Sequence, residues 1–551
     1  MEKIVSCFRR QHRKICWAFL LGTVFYYSAS GAQDKNKTEY GGTVVIGMKG
    51  DFDSFNELNA SDSDALQVIQ NMLFMGLTRM DEQYRVVPYL AESWRFTNGD
   101  SVLTYYLRKD VQWSDGEPTT ADDVLFTYKL ATNPKVAYPA GSRFDLVGDV
   151  RLVDDYTIRF ILKQPYPDAL YDTQIPILPQ HILEKIPPEK IAECDFNRHP
   201  VGNGPFQLVE WKANQSVVFK ANVVFALDRP RVDRVVFVII PDETVLLTNL
   251  LTGVLDVVPN LTPVGLRQLK SRNKFQTIHY SGVSYSFIGW NTANLLFNRE
   301  TRRALTYAID KQEIIDTLCE GLAEPIIGPF LPFNWAYDKY LQDYPYNPEI
   351  ARNILEQNGW HDSNGDGYLD RDGHLFEFSL KTNSGSQLRK DVAVMIQAQL
   401  KRVGVKVRVQ PLEWNLFIDD VFMNKKFDAV ISGWDTDFTV NPTDLWHTKA
   451  IENGYNFISY RNPTVDALLE KGRKTLDPDK AKPIWADFQK IILDDAPYTF
   501  LFTREKLAAF DKRINGVKMD ARGFLANITE WWIPKIKRKY HVARTSNGHE
   551  K

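Results

Sequence analysis

The spacing of apolar residues along this chain changes period several times, and each change marks an element. Residues 43–47 read TVVIG, a β-branched run directly after Gly41-Gly42. Residues 154–163 (DDYTIRFILK) alternate Tyr156, Ile158, Phe160 and Leu162 with polar neighbours. Both patterns predict strands. Residues 301–318 place Leu305, Ala308, Ile309 and Ile315 on one face of a helix, and residues 391–402 do the same with Val392, Met395, Ile396 and Leu400. An alternating run, VKVRVQ (405–410), follows that second helix at once. A further helical stretch then leads to FDAVI (427–431). Strands that alternate with helices predict an α/β architecture with crossover helices on a sheet.

No internal repeat at a fixed period and no low-complexity segment interrupts this pattern. The basic tail, residues 535–551, reads as a frayed, solvated end. Long flexible linkers are missing too. A chain of this length then has either tightly docked domains or a backbone that passes between its lobes more than once.

The first residues carry a different signal. Lys3, Arg9, Arg10, Arg13 and Lys14 stand against the single acid Glu2, and an apolar run covers residues 15–27. Small residues, Ser28-Ala29-Ser30-Gly31-Ala32, close the run before Gln33. This is the order of a secretory leader, with cleavage expected after Ala32. An apolar run of 13 residues is shorter than the ~20 that span a bilayer. Cys7 and Cys16 lie before or inside the run, so no cysteine stands at the cleavage point to carry a lipid. Removing 32 of 551 residues leaves 519, enough for more than one core. Five cations and one acid leave with the leader, which moves the formal charge from −2 to −6. The expected protein is exported and periplasmic, and it lacks the basic face that a nucleic-acid partner requires. Only Cys194 and Cys319 remain, too few for a disulfide scaffold. Aromatic residues make up 13% of the chain, a surplus that points to a cleft with flat apolar walls.

Several blocks have a local physical reading. In LRKDVQWSDGEPTTADDV (107–124), Asp115-Gly116 supplies a turn and Pro118 fixes the next dihedral. Thr120 caps a helix that opens with Asp122 and Asp123 in its first turn. Gly202-Asn203-Gly204-Pro205, inside VGNGPFQLVEWKANQSV (201–217), reads as a backbone turn and not as a ligand contact. Both blocks resemble the signatures of the family 5 extracellular solute-binding proteins. Leu90-Ala91-Glu92-Ser93-Trp94, Ile240-Pro241-Asp242 and RRALTYAIDKQEII (302–315) follow in the family's order, so the similarity covers roughly residues 41–534. LQDYPYNPEIARNIL (341–355) is similar to the dipeptide- and oligopeptide-binding members.

The resemblance implies an α/β, periplasmic-binding-protein-like two-lobed fold (type II, cluster C) with an extra N-terminal domain. After the signal peptide (1–32), the first lobe would be discontinuous, from residues 33–62, 172–282 and 495–551. The extra domain would be 63–171 and the second lobe 283–494. It implies a monomer without catalytic activity or cofactor, which closes on a short peptide and delivers it to the membrane permease subunits of an ABC transporter. Members that bind an oligosaccharide, an opine, a metal chelate or haem are the alternative, and a secreted hydrolase is a more distant one. No Gly-x-Ser-x-Gly elbow, paired-histidine zinc motif or phosphate loop is present to support the last.

In the peptide-binding members a Gly-Trp-x-x-Asp supplies the carboxylate that pairs with the ligand's α-ammonium. Here Gly433-Trp434-Asp435-Thr436-Asp437 matches, with Asp437 in that role and Asp435 as the competing acid. Trp434 would form a wall, and Gly433 would expose backbone for strand-like pairing. Trp290 and Asn291 are further cleft candidates, as are Trp335 in its proline-fixed loop and Tyr138, with residues 59–63 close by. Arg389 is the candidate for a C-terminal carboxylate, since a guanidinium fork suits that group. The run 362–370 (DSNGDGYLD) spaces oxygen ligands like a calcium loop, but Gly373 stands where a closing Glu belongs, so a tight hairpin is expected and no metal.

Overall fold

The computed structural model describes residues 40–270 and 272–539. The leader and its cleavage point lie outside them, as do residues 33–39 and the tail beyond 539. Lys539, expected in the frayed tail, instead donates to Asp256 Oδ1 at 2.7 Å and to the Gly253 carbonyl at 2.8 Å, which fastens the chain to the body at that residue.

A mixed sheet of eleven strands organises the described residues. From one edge its path runs Lys406–Leu412, Glu377–Asn383, Ala429–Asp435, Phe275–Trp290, Tyr498–Asp511, Val257–Val258, Thr43–Met48, Arg234–Ile239, Ser216–Ala221 and Phe206–Lys212, with Ala323–Pro325 pairing off the path. Thr43–Met48 is buried along its whole length, as a β-branched run inside a sheet requires. The expected crossover is present. Helix Gln387–Lys401 joins the parallel strands Glu377–Asn383 and Lys406–Leu412, is capped by Ser386, and buries Val392, Ala393, Ile396 and Leu400.

Two strands of the sheet are much longer than the rest. Phe275–Trp290 and Tyr498–Asp511 run antiparallel, with 275–281 opposite 505–511 and 285–289 opposite 498–503, and the register breaks between Ser281 and Tyr285. The apolar interior divides at the same level. Tyr280, Ala508 and Phe510 join one core with Val44, Phe219 and Phe237, whereas Ile288 and Phe502 join a second and Tyr285, Tyr498 and Phe500 a third. Residues 495–503, assigned by resemblance to the first lobe, therefore pair and pack with 285–289 on the side of the later cores.

A separate antiparallel sheet, in the order Ala91–Thr97, Val102–Leu107, Thr157–Leu162 and Val147–Asp154, shares the first core. The run expected as one strand over 154–163 narrows to Thr157–Leu162, with Asp154 ending the partner strand. Helix Ala121–Ala131 starts where predicted. The Asp123 carboxylate takes the Thr120 amide at 2.8 Å, the Gln180 amide at 2.9 Å and the Trp113 indole at 3.3 Å, so the block is scaffold. Gly202-Asn203-Gly204 is scaffold as well. The Gly204 amide donates to the Leu73 carbonyl and Asn203 Oδ1 accepts from the Met75 amide, both at 2.8 Å.

One expectation changes. The helix predicted over 301–318 is two helices, Arg299–Tyr307 and Lys311–Leu318, because Asp310 adopts an extended backbone and its carboxylate accepts from the Glu313 amide at 2.9 Å. In the run 362–370, Asp362 accepts the amides of Gly365, Asp366 and Gly367, a chain of Asx turns that leads into the hairpin Asp370–Arg371/His374–Leu375. Among the described residues no group of three His, Cys, Asp or Glu is placed to hold a metal ion. Cys194 and Cys319 are both free thiols.

Candidate functional site

The segment Gly433 to Asp437 leaves the sheet at the end of strand Ala429–Asp435, which pairs with the long strand through residue Asp435 opposite Ser284. On the other side, strand Glu377–Asn383 pairs with it only at Ala429 and Val430, so residues 431–435 keep one edge without a strand partner. A Cβ on Gly433 would sit 2.7 Å from the Tyr285 carbonyl and 3.0 Å from Arg389 Nη2, so only glycine lets the backbone approach both. Thr436 pins the loop: its amide and hydroxyl donate to the Val283 carbonyl at 2.8 and 2.7 Å. Trp434 stacks on Phe287 at 6.2 Å and donates its indole N–H to the Tyr498 hydroxyl at 3.3 Å. Asp437 is exposed, and its Oδ1 accepts from the Thr439 amide at 2.8 Å and the Thr439 hydroxyl at 2.6 Å. No cation among the described residues pairs with it.

Beside this loop lies a cavity of about 530 Å³, lined among others by Tyr285, Phe330, Phe333, Trp434, Asp435, Asp437, Asp444 and Tyr455. Across the loop stands the segment that includes Asp168, Tyr171 and Asp172. Phe438 stacks on Tyr84 at 5.6 Å and packs against Phe333 at 5.1 Å and Tyr171 at 6.4 Å, and the Val440 amide points to Asp168 Oδ1 at 3.4 Å. Burial raises the Asp168 carboxyl to about 7, and the charges of Asp172 and Asp437 add to it. Burial likewise raises Asp172 to about 6, against the pull of Arg143. Burial alone would lower the Arg143 guanidinium, but Tyr138, Tyr171, Asp172 and Glu57 outweigh it and hold the charge in place. Acids thus gather from both sides of the loop, a potential that favours a cationic group.

The description "bacterial extracellular solute-binding proteins, family 5 middle" fits residues 85–456, well over half of the chain. The chain belongs to this family. As a family 5 solute-binding protein it is 34% identical over 529 residues to the oligopeptide-binding protein AppA of Bacillus subtilis, covering 93% of this chain and 97% of that one. The structure of B. subtilis AppA in complex with a nonapeptide aligns with a TM-score of 0.69 at 33% identity, over 91% of this chain and 100% of AppA. NikZ from Campylobacter jejuni in complex with Ni(L-His) also aligns at 0.69, with 29% identity, over 89% and 99% of the two chains. The fold is the two-lobed, mixed α/β, type II fold of the family. No helix among the described residues is long and apolar enough to cross a membrane.

In this solute-binding protein Gly433, Trp434, Asp435 and Asp437 stand together, and Arg389 joins them. Arg389 Nη1 donates to Asn383 Oδ1 at 2.9 Å, and burial lowers the guanidinium while the Asp435 charge opposes that change. Trp290 is corrected to a core residue. It is 0% exposed, packs on Phe297 and Phe378, and donates its indole N–H to Thr499 Oγ1 at 3.1 Å. Asn291 is corrected as well: its amide serves the Phe427 carbonyl at 2.8 Å, and it lies roughly 20 Å along the long strand from Ser284, the residue opposite Asp435. In the 329–337 loop, Phe330, Leu331, Phe333 and Asn334 line the cavity, while Trp335 is half-buried against the same apolar cluster. Tyr138 is buried, donates to Glu57 Oε1 at 3.0 Å, and lines a different cavity. Asp168, Tyr171, Asp172 and Arg143 were not singled out from sequence. The only available signal was the spacing of two acids and a tyrosine within one helical turn.

Proposed function

We propose that this protein is the extracytoplasmic substrate-binding component of an ABC importer and that it captures short peptides between its lobes, with Asp437 pairing the α-ammonium. The observation that carries this reading is an aspartate on the Gly-Trp-x-x-Asp loop, held by Thr439 and unpaired with any cation among the described residues. An ammonium taken out of water costs several kcal/mol unless a partner charge and hydrogen bonds replace its hydration. Asp437 offers that partner, and Trp434 offers the wall beside it. The strand edge at 433–435, beyond the Ile431 carbonyl that the Thr382 hydroxyl occupies, is open to add the ligand's backbone as a further strand. Arg389, next to Gly433, takes the other terminus. Gly433 and Asp437 are four residues apart, at most ~14 Å of chain, so a ligand held at both ends has about four residues or fewer.

The protein binds and releases without making or breaking a covalent bond. The lobes, 33–62 with 172–282 and 495–551 on one side and 283–494 on the other, with residues 495–503 carried over to the second by their pairing with 285–289, close about the two long strands, and the extra domain 63–171 rides on the first. The mature chain starts at Gln33, works as a periplasmic monomer and hands its ligand to the membrane permease subunits. The likeness to NikZ with Ni(L-His) favours a second reading, a metal chelate as ligand.

Titration calorimetry with a tripeptide and its N-acetylated form tests the proposal. Loss of one partner of a charge pair that lobe closure takes out of water costs about 2–5 kcal/mol, so acetylation is expected to weaken binding about 30-fold or more. Equal affinities for the two forms, or binding of Ni(L-His) and of neither peptide, would reject peptide capture through the α-ammonium.

A further inference from the structure

Resting on the peptide reading, we infer that the cavity beside Asp437 is a specificity pocket for a basic side chain, arginine or lysine, carried by the first or second residue of the ligand. The cavity presents three carboxylates, Asp435, Asp437 and Asp444, and none of its lining residues is Lys, Arg or His. Arg389 faces Asp435 from outside the lining and offsets part of one charge. Asp444 is exposed, and its carboxylate takes part in no ion pair or hydrogen bond among the described residues; only its backbone carbonyl is engaged, by the Tyr455 amide.

A second, independent feature points to a ligand. Tyr285 lines the same cavity and is 2% exposed, and its hydroxyl has no hydrogen-bond partner among the described residues. A buried hydroxyl without a partner loses its hydration and gains nothing in return, a state that a bound donor relieves. The walls fit the same guest. Trp434 and Tyr455 meet edge to face at 5.7 Å, which leaves aromatic surface for the flat face of a guanidinium or the stem of a lysine. Carboxylates at the rim and a hydroxyl in the wall then receive its N–H groups. With Asp437 holding the α-ammonium, a neutral side chain would leave Asp444 and the partly offset Asp435 without a counter-charge, and an acidic one would meet their repulsion.

The test compares wild-type protein with tripeptides that carry arginine, its neutral isostere citrulline, or glutamate at position one and at position two, all with a free α-amine. At one of the two positions arginine is expected to bind at least about tenfold tighter than citrulline, and glutamate weaker than either. In Asp444→Asn and in Tyr285→Phe, each checked for an unchanged thermal unfolding profile, the arginine-to-citrulline ratio is expected to fall below about threefold. Arginine and citrulline peptides that bind alike at both positions would overturn the pocket while leaving peptide capture intact. Failure of every peptide to bind would overturn the peptide reading itself, and the pocket with it.

Discussion

Replacing Asp168 by asparagine isolates the charge that burial forces onto the loop opposite Asp437. Asparagine keeps the shape and keeps an Oδ1 for the Val440 amide, and it removes only the ionisation. The Asp168 carboxyl is raised from 3.8 to about 7, first by burial and then by Asp172 and Asp437. The folded protein therefore holds a proton that the unfolded chain has released. Stability falls as pH climbs between about 4 and 7: the penalty is absent below that interval and complete above it. The full displacement corresponds to a ceiling of about 4 kcal/mol, and because Asp172 shares the titration, about 2 kcal/mol is the working figure for one carboxylate. In a chain of this size that is about 2 °C in Tm. Differential scanning calorimetry at pH 4.5 and pH 8 reads it directly. Asp168→Asn is expected to raise Tm by about 2 °C at pH 8 and by less than about 1 °C at pH 4.5. A shift of equal size at both pH values, or a lower Tm at pH 8, would refute the argument that this acid is held against its own ionisation.

Two further outcomes follow from packing. Trp290→Ala is expected to cost about 3–5 kcal/mol in urea unfolding, since a fully buried indole and its bond to Thr499 are lost, with peptide affinity in the folded fraction within about twofold of wild type; a selective loss of affinity would return Trp290 to the cleft. Gly204→Ala drives a Cβ to 2.6 Å from the Leu73 carbonyl carbon and the Met72 carbonyl oxygen, both backbone, and is expected to destabilise by about 1–3 kcal/mol in the same measurement. Full stability in that variant would mean that the contact with residues 72–75 is not structural.

How much of this was legible beforehand depended on how local each feature is. Thr43–Met48, Lys406–Leu412 and Gln387–Lys401 follow from their own periodicity and caps. The split at Asp310 was hidden because the apolar face of residues 301–318 passes through it unbroken, while the carboxylate decides by capping the second helix. The Gly433–Asp437 loop could be read because glycine, tryptophan and aspartate occur there at a distinctive spacing. Trp290 could not be assigned, since alternation along a strand is the same whether a face meets a cleft or a core. Asp168 meets Val440 across 272 positions of sequence, so its raised carboxyl belongs to the fold and not to any local pattern.

The central claim is that Asp437 receives the α-ammonium of a peptide, and native mass spectrometry of the purified mature protein beside its Asp437→Asn variant tests it most directly. The account predicts a ladder of co-purified peptide masses on the wild type that is absent from the variant. A single non-peptide mass, or the same ligand masses on both proteins, would contradict it.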